Sequence, residues 1–146
     1  MESSINFSVS STSPAGIKTL WEAKYADTSR RAPLKMAIPH CFGGPGSEAS
    51  PEDLYLLSLL NCLIATFKVF AEKSKLGYER LDGFANLNLI QEPSGVSSFK
   101  NINIKLELFS PENRVKAERL FNKVESQSMI VNSVTTKVDI NWIIKE

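Results

Sequence analysis

The stretch from Pro51 to Gly77, PEDLYLLSLLNCLIATFKVFAEKSKLG, sets the hardest condition on how this chain folds. It reads as one helix of about 25 residues, roughly 37 Å at about 1.5 Å per residue. Its start is strongly marked. Ser50 caps it, Pro51 suits the first helical position and Asp53 completes an S-x-x-D capping box. Gly77 is the expected stop, with Lys73 and Lys75 near the negative helix end. Between Leu54 and Phe70, leucine, isoleucine and phenylalanine occupy most of the circumference, so the helix has to be covered on nearly all sides. Ser58, Asn61, Thr66 and Lys68 make it a poor membrane span and a good core helix.

The flanking sequence supplies strands to cover it. Asn6 to Ser10, Gly16 to Tyr25 (with a bulge near Leu20-Trp21) and Leu34 to Ile38 read as short strands, and Ala26 to Ser29 as a turn. After the helix, Leu81 to Ile90 and Phe99 to Phe109 alternate apolar with polar residues. They are joined by a link containing Pro93 and Gly95, which predicts a hairpin. Ser110-Pro111-Glu112 opens a second helix to about Ser126, Ser128 to Val134 suits a short third helix, and Thr136 to Ile144 a closing strand. Strands segregated from helices give an α+β class, with antiparallel sheets around a long central helix in one domain over residues 1–146. A single small sheet cannot wrap a helix that is apolar all round, and an intertwined homodimer is the simplest solution.

Composition narrows the function. Seventeen basic against sixteen acidic residues, a net charge of +1, argue against a nucleic-acid or membrane-surface binder, since either needs a concentrated basic face. The N-terminal residues lack the pattern of a signal peptide. Two cysteines without an export signal suit reduced thiols, and the expected location is cytoplasmic. With His40 as the single histidine, no histidine-rich metal site is expected, and no cofactor motif appears. The FGGPG segment lacks the lysine and spacing of a phosphate cradle and reads as a tight turn.

Two residues invite chemistry. Cys62 is either a reactive thiolate or a small core residue. It lies about 15 Å from the helix start, too far for the dipole to help, and chain-local evidence favours packing. Glu52 is either functional or a first-turn acid favoured by the dipole. Ten residues and about 15 Å of helix axis separate it from Cys62, so the two cannot touch within one helix.

The segment FGGPG-SEAS-PEDLYLLSLLNCLIATF resembles the part of OsmC/Ohr proteins in which a GG loop leads to an N/S-P-E-x-L helix with a cysteine ten residues after the glutamate. The order of elements agrees over nearly the whole chain. The resemblance implies swapped homodimers that reduce organic hydroperoxides with a thiol. It implies that Cys62 is the peroxidatic residue, that Arg30 or Arg31 stabilises its thiolate, and that Glu52 holds the arginine. The family's resolving cysteine falls on Ser128 in Ser128-Met129-Ile130-Val131-Asn132, and a serine forms no disulfide. Turnover would then use an external small or protein thiol, or Cys41 as resolver. Phe42, Leu59 and Phe67, with Ser128, are the expected pocket residues. The rival readings are a small-ligand-binding dimer in which Cys62 only packs, and a redox sensor that oxidises once.

Overall fold

The computed structural model describes residues 4–26 and 32–146. The chain divides into two compact units, residues 1–54 and 55–146.

In the N-terminal unit, β1 (Val9–Thr12), β2 (Trp21–Tyr25) and β3 (Leu34–Met36) form an antiparallel sheet in that order. All four residues of β1 are exposed, and burial in this sheet reaches completion only at Met36. A 3₁₀ turn, His40–Phe42, follows and ends in Gly43 at φ +85°, a left-handed conformation that suits glycine. The backbone N–H groups of Gly43, Gly44 and Gly46 donate to the carbonyls of His40, Pro39 and Ile38. The FGGPG segment is therefore a tight turn whose amides are already spent. A Cβ on Gly44 would run into the Ile38 carbonyl, so the close chain reversal needs glycine there.

Helix α1, Pro51–Lys73, begins as its capping box requires. Ser50 N–H donates to the Asp53 carboxylate at 2.9 Å, and Asp53 N–H donates to Ser50 Oγ at 3.1 Å. The helix ends four residues before Gly77. Lys75, at φ 52°, turns the chain instead, and Lys116 Nζ donates to the Ser74 carbonyl at 2.9 Å.

The C-terminal unit holds the long strands. β4 (Arg80–Gln91) and β5 (Ser97–Phe109) form the expected hairpin, with a register shift at Asn88/Leu89. α2, Arg114–Gln127, follows, then a 3₁₀ turn at Val131–Ser133 and β6, Lys137–Lys145. β6 joins β5 in parallel, which departs from an all-antiparallel arrangement. The reason is the connection: α2 carries the chain back along the sheet, and a strand–helix–strand crossover delivers parallel neighbours. The start of α2 also differs. Asn113, not Ser110, caps it, its side chain accepting from Lys116 N–H at 2.9 Å.

One face of the β4-β5-β6 sheet carries the core. Ile102, Ile104, Leu106 and Leu108 of β5 meet Leu59, Leu63, Phe67 and Ala71 of α1 and Ala117, Leu120, Phe121 and Val124 of α2, all buried. Phe67 is the hub, with ring centroids 5.3 Å from Tyr78 and 5.7 Å from Trp142. Gly83 of β4 lets α1 come close, since a Cβ there would lie 2.7 Å from Leu60 Cδ1.

Candidate active site

α1 is the element that places the candidate residues. Its four buried residues, Leu59, Leu63, Phe67 and Ala71, recur every four positions and form one stripe. On the far side Leu57 and Val69 are 50% and 51% exposed, with Asn61, Ala65 and Lys68 also exposed. By length and composition α1 would pass as a membrane-crossing helix, despite its polar residues. In the fold its inner stripe is packed into a protein core.

Cys62 lies on the flank between these faces and is half-buried. At about 100° per residue it shares this flank with Ser58, one turn before, and Thr66, one turn after. Ser58 Oγ donates to the Tyr55 carbonyl and Thr66 Oγ1 to the Cys62 carbonyl, both at 2.7 Å. The thiol itself is free.

Glu52 occupies the first turn of α1. Its Oε2 is buried and has no hydrogen-bond partner among the described residues. A buried carboxylate oxygen without a donor is expensive, so this atom marks a position where a donor or cation belongs. Simple attraction to the helix dipole, the blander alternative for a first-turn acid, leaves that oxygen unexplained.

The other expected residues scatter. Arg30 and Arg31 lie outside the described residues. Cys41 is a free, exposed thiol on the 3₁₀ turn of the N-terminal unit, and Phe42 beside it is half-buried. Leu59 and Phe67 have no exposed surface and serve as core of the C-terminal unit, so in the single chain they wall no open pocket. Their apolar periodicity suits either role, and in the single chain they pack in the core with α2 and β5. Ser128 is fully buried at the C-terminal end of α2, where its Oγ donates to the Val124 carbonyl at 2.7 Å. It therefore closes a helix end. Among the described residues no group of three or more histidine, cysteine, aspartate or glutamate side chains is arranged to hold a metal ion.

An α+β chain whose long helix carries a free, half-buried thiol ten residues after a glutamate with one buried oxygen defines a recognisable class. The family model described as OsmC-like protein matches residues 44–143, and the chain belongs to that family. Solved structures agree in fold. An OsmC-like protein of unknown function from Vibrio cholerae superposes with a TM-score of 0.79 at 16% identity, covering 96% of this chain and 100% of that one. An OsmC-like protein from Mycoplasma pneumoniae gives 0.77 at 14% identity, covering 97% and 99%. An organic hydroperoxide resistance protein from Legionella pneumophila gives 0.72 at 18% identity, covering 99% and 100%. No curated protein sequence matches the chain.

Proposed function

We propose that this chain is a thiol-dependent reductase of organic hydroperoxides that works with one catalytic cysteine, Cys62, as a single OsmC-like domain in a cytoplasmic homodimer. The observation that carries the reading is the free, half-buried Cys62 thiol on an otherwise apolar helix. The unpartnered Oε2 of Glu52 supports it from the same element. The names of the structural relatives, which include organic hydroperoxide resistance proteins, point to the same substrate class.

The chemistry runs in three steps. The Cys62 thiolate attacks the distal oxygen of ROOH; an S–O bond forms, the O–O bond breaks, and ROH leaves with a proton. Cys62 is then a sulfenic acid. An external thiol attacks its sulfur and releases water, giving a mixed disulfide. A second external thiol displaces Cys62, leaving the reductant as a disulfide and Cys62 as the starting thiol. Arg30 or Arg31, from the same chain or its partner, stabilises the thiolate, and Glu52 orients that guanidinium through its free oxygen. Ser128 is satisfied by the Val124 carbonyl and has no sulfur to offer, so resolution falls to an external thiol, with Cys41 as the internal alternative.

The test is peroxide consumption by the reduced protein in cumene hydroperoxide with dithiothreitol, beside Cys62→Ser and Cys41→Ser. Loss of turnover with Cys62→Ser alone is the expected result. Dependence on both thiols would make Cys41 the resolver. One equivalent consumed without turnover would favour a sensor, and no consumption would overturn the enzyme reading.

A further inference from the structure

The outer face of the β4-β5-β6 sheet, turned away from the core, carries an unusual set of side chains. Register places Phe84, Lys105 and Asn141 in one rung across the three strands, Asn86, Asn103 and Asp139 in the next, and Asn88, Asn101 and Lys137 in the third. Five of the chain's ten asparagines thus share one face of one sheet. Asparagine is among the residues depleted in strands, so strand formation does not account for this concentration. A local rule broken repeatedly in one place is where function is sought.

The first two rungs line an open depression of about 410 Å³, a volume suited to a small molecule. Asn88 donates to Asn101 at 3.3 Å in the third rung. The carboxamides of Asn86, Asn103 and Asn141, which line the depression, make no hydrogen bond among the described residues. Each offers two N–H donors and an acceptor oxygen. The charges around them cancel locally: Lys105 pairs with Glu107 at 3.2 Å and Lys137 with Asp139 at 3.7 Å. Phe84 forms an apolar lip, 53% exposed, with the Lys105 ammonium 4.8 Å from its ring centroid.

We propose that this sheet face, built on Asn86, Asn103 and Asn141 beside Phe84, is a second binding site that takes a neutral, hydroxyl-rich ring, a pyranose sugar. Hydroxyls both donate and accept, as carboxamides do, so adjacent sugar hydroxyls match neighbouring amides in either sense. Phe84, 53% exposed, offers an apolar surface to sugar C–H groups. A phosphate would meet the Asp139 carboxylate with both nearby lysines already engaged. The site uses neither Cys62 nor Glu52, so it stands or falls apart from the peroxidase reading.

The test is a nitrogen-15 NMR titration of the full chain with D-glucose, D-galactose and N-acetyl-D-glucosamine, into the millimolar range where weak sugar sites saturate. Saturable shifts of the Asn86, Asn103 and Asn141 side-chain amides are expected with at least one sugar. Asn103→Thr should weaken binding at least roughly tenfold, the loss of one to two hydrogen bonds, while Cys62→Ser leaves it unchanged. No saturable shift with any of the three sugars overturns the proposal. So does a stronger response of the same amides to adenosine or to inorganic phosphate. Should Asn103→Thr fail to fold, Asn86→Thr on the neighbouring strand localises the site in its place.

Discussion

The two sheets of this chain are built from the same number of strands and live by different means. The β4-β5-β6 sheet pairs over strands of 12, 13 and 9 residues and lays one apolar face on α1 and α2. The β1-β2-β3 sheet pairs over 4, 5 and 3 residues, and within it only Met36 is fully buried. The first has the means to hold itself together by hydrophobic burial. The second exposes Val9 at 80%, with Ile5 and Phe7 before it at 78% and 89%. A row of exposed apolar side chains leading into a strand is a surface in search of cover. Burial in this molecule is therefore concentrated in the C-terminal unit, while the N-terminal sheet and the outer flank of α1 leave apolar side chains open.

The largest effect that would break this contrast is at Phe67. Phe67→Ala empties the hub of the aromatic cluster and should lower unfolding stability by about 3–5 kcal/mol, read by urea denaturation. A loss of about 1 kcal/mol or less would mean the core collapses around the gap and is no tighter than the rest. Next is the outer flank of α1. If a second copy covers Leu57 and Val69, the double change to aspartate leaves the monomer fold intact and weakens self-association by roughly 100-fold, about 2.7 kcal/mol. Sedimentation of wild type as a dimer and of the variant as a monomer is the expected outcome. A wild type that stays monomeric at all concentrations would remove the homodimer from the proposal.

Legibility in the sequence follows the range of the interactions. The capping box at Ser50 and Asp53 and the β4–β5 hairpin depend on residues close in sequence, and both were readable. The cap of α2 is ambiguous in the sequence because Ser110, Glu112 and Asn113 compete there. Ser110 N–H bonds to the Lys145 carbonyl at the end of the sheet, which leaves Asn113 to cap the helix. The direction of β6 was invisible, since alternation looks the same in a parallel and an antiparallel strand. Cys62 stood out in the sequence as a thiol on an apolar helix. The buried, unpaired oxygen of Glu52 did not, because burial of a first-turn side chain is set by tertiary packing. The asparagine face is hidden for the same reason: each strand carries two of its asparagines at most, and only the register assembles them.

A smaller effect tests the N-terminal unit through the capping box at its C-terminal end. Ser50→Ala removes the side-chain half of the capping box and should cost about 1 kcal/mol of stability. Ser50→Asp, which keeps an acceptor for the Asp53 N–H but adds charge beside the Asp53 carboxylate, should recover only part of it. Full recovery would mean that the added charge costs nothing there, whereas no loss in Ser50→Ala would mean that the reciprocal bond from Ser50 N–H to Asp53, not the serine oxygen, sets the helix start.

The finest distinction is in pH, at Tyr78 on the edge of the C-terminal core. Burial first, and the nearby Glu72 carboxylate second, raise its phenol above the ordinary value of 10.0. The folded chain then holds this proton more tightly than the unfolded chain does. Its contribution is complete below pH 10, where both states are protonated, and is lost as pH rises through the unfolded value and on through the raised folded one. The urea midpoint should therefore fall over that alkaline range, and the fall should flatten in Tyr78→Phe, which keeps the edge-on contact with Phe67. Phenolate absorbance in the folded protein would show the titration directly. If Tyr78 ionises at or below 10.0, its ring faces water. The contrast between a sealed C-terminal core and an open N-terminal sheet would then have to be redrawn at that edge.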